Sequence, residues 1–220
     1  MFPLPNQLIA SLTAVEQSAL LRRARLIEIK LGDILTSPDP DQPMIYFITS
    51  GSVVLFVPIK SGQLNKGLAI GLVGREGAVG LQAALGLGSG NFILKVQSAG
   101  YAYVMEARYL QSLIKRHPHW LMLFSRYLWL TYQQIAKLAA MSHSQDIKLR
   151  LMHWLFLSQE RANPDQLYMT HDHIAQMLGV RRASITLAAK ELKDEGVMRY
   201  SRGHIQLLDM AVLQQRISSQ

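Results

Sequence analysis

The chain has 220 residues, 49% of them apolar, which is enough for two small domains with real cores and excludes an unfolded chain. Charges interrupt every long apolar run, so no membrane helix is expected, and Met1-Phe2-Pro3-Leu4-Pro5 has neither the basic start nor the apolar stretch of a signal peptide. The absence of cysteine excludes disulfides, thiolate metal sites and cysteine-held clusters; a cytoplasmic protein without a resident cofactor or metal is the simplest expectation.

The net charge of +8 favours a polyanionic partner. The surplus is not concentrated where that idea would place it. Residues 142–220 carry 10 Lys+Arg against 8 Asp+Glu, whereas residues 1–141 carry 13 against 7. Any nucleic-acid argument for the C-terminal part must rest on where its cations sit.

Residues 1–30 read as largely helical, with Ser11 or Thr13 able to cap a helix and Glu16 completing a capping box. The basic group Arg22, Arg23 and Arg25 reads as a solvated face. From about Ile27 to Met105 the pattern is β. Ile27–Leu31 alternates and stops at Gly32-Asp33. Met44–Gly51 and Ser52–Val57 read as two strands around a Ser-Gly turn. Leu68–Val73, Phe92–Gln97 and Tyr101–Met105 complete the set, and Gly86-Leu87-Gly88-Ser89-Gly90 reads as a turn. Short strands with glycine turns predict a small antiparallel barrel or jelly roll.

Arg108 to Ala140 is helical with a break at His117-Pro118, where proline suits the first turn of a second helix. In that second helix Leu121, Leu128 and Ile135 recur every seven residues, with Phe124 and Leu138 at the companion position. This spacing predicts a seam that pairs with its twin across a two-fold axis. Trp120, Leu123, Tyr127 and Leu130 would lie against the barrel. Another helix runs from near Asp146 to Gln159, Arg161–Asp165 is a loop, and Ala211–Ile217 is a short terminal helix.

Between these last elements lies the stretch that carries function. Thr170 can cap a helix whose inner face is Ile174, Met177 and Leu178, with small Ala175 where a second helix crosses. Gly179 supplies the turn. The second helix buries Ile185, Ala188, Ala189 and Leu192 and presents Arg181, Arg182, Ser184, Leu187 and Lys190. Gly196 ends it. A hairpin follows, with its tip at Ser201-Arg202-Gly203. The pattern is a winged helix-turn-helix, which enters the major groove of DNA.

Barrel, long helix and winged helix-turn-helix, in that order, resemble the cyclic-AMP receptor/FNR (Crp–Fnr) superfamily of bacterial transcription regulators. The most specific segments are Tyr46-Phe47-Ile48-Thr49-Ser50-Gly51-Ser52 and Leu178-Gly179-Val180-Arg181-Arg182-Ala183-Ser184-Ile185; Val73 to Leu81 is typical of one branch. The resemblance implies an α+β chain in three parts: a barrel sensor domain over 1–117, a dimerisation helix over 118–141 and a DNA-binding domain over 142–220. It also implies a homodimer on a two-fold symmetric duplex, with RNA polymerase as a further partner.

Carried over by position, Arg182 falls where the family reads guanine, a contact that a guanidinium fork makes to O6 and N7. Ala183 and Leu187 fall where relatives carry glutamate and arginine, and here can make only apolar contacts; Arg181 stands beside them. Thr170, His171, Ser184, Lys190, Arg199, Ser201, Arg202 and His204 are expected to meet phosphates. Cyclic-nucleotide binders of the superfamily hold the ribose with a glutamate and the phosphate with an Arg-Ser or Arg-Thr pair. Here Gly80 is followed by Leu81 and Gln82, and the phosphate position falls near Gly90 and Asn91. A buried phosphate without a cation lacks its counter-charge, so cyclic AMP and cyclic GMP are not expected to bind.

His117, His119, His143 and His153 leave haem open as a sensing group, with satisfied or solvent-facing histidines the simpler reading. His171 and His173, two apart, do not share a helix face, so no metal site is expected there. No paired acid/base spacing, nucleophile elbow, Gly-Lys-Ser/Thr phosphate loop or His-Glu-x-x-His is present, so the chain does not read as an enzyme. The competing reading is a small-ligand module whose C-terminal domain contacts protein. Arg181-Arg182 on the recognition face argues against it.

Overall fold

Two short helices open the chain, α1 (Gln7–Ala10) and α2 (Ala14–Leu21). The structure is a computed structural model that describes residues 6–36, 39, 41–58, 67–88, 92–144, 146–162 and 167–218. Asn6 is fully buried and pins α1 to the body: its amide donates to the carbonyls of Ile48 and Gly77 at 2.7 and 2.8 Å, while its Oδ1 accepts from Ile9 N. Thr13 is the cap of α2, and Glu16 completes the capping box.

Five antiparallel strands follow: β1 (Arg25–Ile29), β2 (Met44–Pro58), β3 (Gly67–Val73), β4 (Ala78–Val79) and β5 (Ile93–Glu106), with α3 (Leu81–Ala84) between the last two. Their order is β1-β5-β2-β3, with β4 also on β2. The first strand begins at Arg25, inside the stretch expected to be helical. The expected Ser-Gly turn is not a turn, and the strands expected at Phe92–Gln97 and Tyr101–Met105 are not separate. Met44–Pro58 is one strand of 15 residues, and Ile93–Glu106 is one of 14. They pair along their length with register shifts around Ser50 and Ser52. At that irregularity the backbones nearly touch: a Cβ on Gly51 (φ +77°) would lie 2.4 Å from Ser98 O, and one on Gly100 would lie 2.2 Å from Ser50 O. Two glycines facing each other let paired strands bend without separating.

Alternation along β2 distributes its side chains among three cores. Ile45 and Phe47 pack with α1, α2 and the helices α4 (Ala107–Arg116) and α5 (His119–Ser144). Tyr46, Ile48 and Val53 pack with Val73, Val79, Val96 and Val104. Val54 and Phe56 join a third core made mainly by the C-terminal elements. These are α6 (Ile147–Ala162), β6 (Leu167–Tyr168), α7 (His171–Leu178), α8 (Arg182–Asp194), β7 (Met198–Ser201), β8 (His204–Leu207) and α9 (Met210–Ser218). The sheet and the C-terminal part therefore share apolar packing. Two polar links reinforce it: buried Gln97 donates to Ser158 Oγ at 2.9 Å, and Arg161 pairs with Glu76 at 2.8 Å. Arg161 and Ala162, expected in a loop, are the end of α6.

The long helix is rotated relative to the expected seam. Trp120, Phe124 and Tyr127, at helical spacing, are buried in the chain's own core. Phe124 is thus no seam residue. Leu128 packs against the same core, Ile135 approaches Gly71, and Leu138 packs on the C-terminal core. Leu130, expected against the barrel, is exposed. Large aromatic side chains bury the most surface, so Trp120 and Phe124 decide which face turns inward. The face left outside carries Met122 (74% exposed), Trp129 (57%) and Tyr132 (61%), with Leu121 at its edge.

Glu16 ties α2 to α5. Its carboxylate accepts from Trp120 Nε1 at 2.9 Å and lies 2.6 Å from His119 Nε2. The Trp120 and Thr13 hydrogen bonds hold its carboxyl down at about 2. His153 of α6 shifts down for another reason. It is buried, its Nδ1 has no partner, and burial, helped by Lys137, lowers it to about 4. Folded His153 stays neutral where the unfolded chain takes up a proton, so stability is lost as pH falls from about 6.5 to about 4. A His153→Gln variant is expected to lose on the order of 1–2 kcal/mol less than wild type between pH 7 and pH 5. Thermal midpoints at the two pH values check this.

Candidate nucleic-acid interface

Thr170 caps α7 by accepting from His173 N at 3.2 Å, and Gly179 (φ +65°) closes it in the left-handed conformation that glycine adopts most readily. The inner faces of α7 and α8 then interlock through Ile174, Ala175, Ile185, Ala188 and Ala189, all buried. This packing fixes the outer face of α8. Ala183, Leu187 and Lys190 are exposed there, Leu187 at 61%. An exposed leucine beside exposed alanine is available for an apolar contact.

Arg181 is the residue preceding α8, extended at φ −72° and ψ 142°, and its side chain does not cap the helix. Arg182 is the first helical residue. Its Nη1 lies 3.5 Å from Asp172 Oδ2, with both side chains about two-thirds exposed. Such a surface pair contributes little stability, but it holds the guanidinium at the front of α8. Ser184 is half-buried at the side of α8 rather than at its front.

The hairpin tip is the two-residue loop Arg202-Gly203, with φ of +49° and +86°. Two positive φ values match the primed turn that joins twisted strands tightly. Arg202 adopts a conformation that non-glycine residues seldom take, and this projects a cation beyond the sheet. Arg199, Ser201 and His204 are also exposed on this wing, His204 with its ring edge against Tyr168 at 5.0 Å.

His171 departs from the expected phosphate contact. Its ring stacks on Tyr200 at 4.4 Å, and its Nδ1 lies 3.0 Å from Thr186 Oγ1, which itself donates to Arg182 O. The hydroxyl has spent its proton, so Nδ1–H of His171 donates to it. Nε2 is buried without a partner, and burial followed by Arg182 pushes the imidazole below its usual range. A neutral ring with no free donor does not meet a phosphate; His171 instead joins α7, α8 and the wing. Sequence reasoning passed over Thr186. The signal was available: it stands one turn after Arg182, on the flank that faces α7.

Charge is sorted by place. Glu195 pairs with Lys148 and Arg216 at 2.8 and 2.5 Å, at the far end of α8. Glu191 also pairs with Lys148, and Glu76 with Arg161. Among the described residues no carboxylate pairs with Arg181, Lys190, Arg199 or Arg202. A nearly balanced domain thereby presents a basic front.

At the expected effector position, Gly80 has φ +83°, and a Cβ there would strike Met44 O at 2.3 Å. Leu81 is buried in the core beneath α3, and Gln82 is half-buried. Gly90 and Asn91 lie outside the described residues. The candidate haem histidines do not converge: His117 stacks on Trp120, His119 meets Glu16, and His153 is buried in α6, while the side chain of His143 lies outside the described residues. Among the described residues there is no group of three or more His, Asp or Glu placed to hold a metal, and no helix is long and apolar enough to cross a membrane.

Residues 149–216 match the family model of the Crp-like helix-turn-helix domain. No curated protein sequence matches the chain. Among solved structures, the fold is similar to that of the c-di-GMP-responsive global regulator CLP of Xanthomonas campestris, at a TM-score of 0.68 and 18% identity, covering 90% of this chain and 100% of that one. It is also similar to a CRP/FNR-family transcriptional regulator of Thermus thermophilus, with TM-score 0.66, 22% identity and coverage of 88% and 98%. A third is FixK2 of Bradyrhizobium japonicum, with TM-score 0.65, 13% identity and coverage of 87% and 96%. At these identities the likeness is one of fold, and it extends over the sheet and the long helix as well as the matched domain. Residues 149–216 thus match the Crp-like helix-turn-helix domain, within a chain whose sheet, long helix and C-terminal part share the fold of these solved structures.

Proposed function

We propose that the protein is a homodimeric transcription regulator that reads a two-fold symmetric DNA site through α8. The observation that carries this is that Arg181, Arg182, Lys190, Arg199 and Arg202, on α8, at its start and on the wing, are all exposed, as is Leu187 of α8. Arg182 is the guanine reader, Ala183 and Leu187 offer apolar contacts to a thymine methyl, and Thr170, Ser184, Lys190, Ser201, Arg199, Arg202 and His204 hold phosphates. The dimer forms along the outer face of α5, centred on Met122, Trp129 and Tyr132, with Leu121 at its margin. Contact with RNA polymerase belongs to the same reading.

Selection from random duplexes by the purified protein tests it. The expected product is an inverted repeat whose half-sites lie about one helical turn apart, bound with an affinity that falls steeply with salt. Recovery of no enriched sequence would overturn the proposal.

Cyclic AMP and cyclic GMP do not gate this protein on this reading. Leu81, where cyclic-nucleotide binders place a carboxylate, is packed into the apolar core. Calorimetric titration of the full chain with either nucleotide is expected to show no binding at micromolar concentrations; a micromolar Kd would refute this point alone.

A further inference from the structure

A cavity of about 200 Å³ lies where the sheet, the long helix and the DNA-reading domain meet. Leu68 and Ile70 of β3 form one wall, Ile135 and Leu138 of α5 a second, and Met177 and Leu178 of α7 a third. Arg150, His153 and Trp154 of α6 close it, and no acidic residue lines it. Apolar cavities of about 150 Å³ hold a benzene ring, so this one has room for a ring with a short side chain.

Its polar groups are unusual for an apolar packing defect. Trp154 Nε1 and His153 Nδ1 are buried without hydrogen-bond partners. A buried donor without a partner costs free energy that a ligand oxygen would recover. Arg150 donates one N–H to Leu178 O, and among the described residues no carboxylate pairs with it. Burial lowers its pKa, as expected for a cation partly removed from water without a counter-charge. An apolar chamber with one guanidinium that lacks a carboxylate partner and one orphaned indole N–H is complementary to an apolar body bearing one carboxylate.

We propose that this cavity binds a compact apolar monocarboxylate, its ring or chain among Leu68, Leu138 and Met177 and its carboxylate against Arg150, and that occupancy alters DNA affinity. The second half rests on the DNA-binding reading above. The cavity walls belong to β3 and α5 on one side and to α6 and α7 on the other, so a ligand within it fixes how the reading domain sits on the rest of the chain. A ligand that favours one placement shifts the population of that placement, and the coupling is reciprocal.

The probe is 3-phenylpropanoate, titrated calorimetrically into the full-length protein beside 3-phenylpropanamide. The acid is expected to bind once per chain, and the neutral amide at least roughly tenfold more weakly, since it forfeits the charged contact. Arg150→Gln should remove that preference. Ala69→Phe, which fills the chamber from β3 and removes no polar group, should abolish binding of both compounds with the circular dichroism spectrum unchanged. No binding of the acid at millimolar concentration, or equal binding of acid and amide, would overturn the site. In the DNA arm, saturating acid is expected to change the Kd for the selected duplex at least about threefold, a modest allosteric coupling. Binding of the acid without any change in DNA affinity would overturn the coupling and leave the site standing. Failure to bind any duplex, with or without the acid, would instead count against the DNA-binding reading.

Discussion

Arg182→Ala is expected to weaken binding to the protein's own operator by about 100- to 10,000-fold, the worth of two bidentate contacts to guanine, one in each half-site. Binding to random duplex should fall by no more than about threefold, the effect of losing one cation among several near the phosphates. The preference for guanine at one position of each half-site should relax in a repeated selection. Arg182 is the first residue of α8, its guanidinium is about two-thirds exposed, and its partner Asp172 holds it by a weak surface pair at 3.5 Å. Breaking that pair costs little stability, so a loss of DNA binding in this variant does not come from unfolding. Fluorescence anisotropy with the operator and with a scrambled duplex separates the two effects. An equal loss on both would make Arg182 a phosphate contact. Lys190→Ala and Arg202→Ala are the useful contrast, since each should weaken both duplexes alike and flatten the salt dependence.

The recognition module was legible in the sequence because its constraints are local. A cap at Thr170, a glycine at the turn and small residues where two helices cross act within about ten residues of one another. The structure adds what spacing does not encode: the ring of His171 turns inward to Tyr200, and Thr186 Oγ1 accepts a hydrogen bond from its Nδ1–H. The antiparallel sheet was legible in class but not in connectivity, and its described strands follow the open order β1-β5-β2-β3. Ser50-Gly51 and Ser98 to Gly100 carry the same residues as a hairpin turn. A glycine that permits a sharp reversal also permits two paired backbones to press together at a bulge. Only the pairing of β2 with β5, about fifty residues apart in the chain, distinguishes the two outcomes. On the long helix Trp120 and Tyr127 face the body as expected, while Phe124 leaves the expected seam and Leu130 leaves the body, for a related reason. A seven-residue recurrence at Leu121, Leu128 and Ile135 shows that the helix has an apolar side. It does not say which partner that side meets. Trp120, Phe124 and Tyr127 take the chain's own core, and Leu128, Ile135 and Leu138 follow them toward the body.

That rotation separates two sets of substitutions that the sequence pattern would have pooled. Trp129→Glu is expected to convert the dimer to monomer at micromolar concentration, because it sets like charges opposite each other across a two-fold axis and removes the largest exposed apolar side chain on α5. Trp129 stacks on Tyr132 at 5.4 Å and takes no part in the chain's own cores, so the variant should melt within a few degrees of wild type. Affinity for a two-half-site operator should drop by about 100-fold or more, since the second half-site is then no longer held at high effective concentration. Met122→Glu should behave in the same way. Phe124→Ala should do the reverse. Removing a fully buried ring from beside Phe47 and Trp120 costs about 3–5 kcal/mol of folding stability, visible in the melting temperature rather than first in the oligomeric state. Sedimentation velocity and thermal melts on the three variants decide the matter. A Trp129→Glu protein that remained dimeric would place the two-fold axis elsewhere on the molecule, and with it the spacing between the two copies of α8 that the DNA must match.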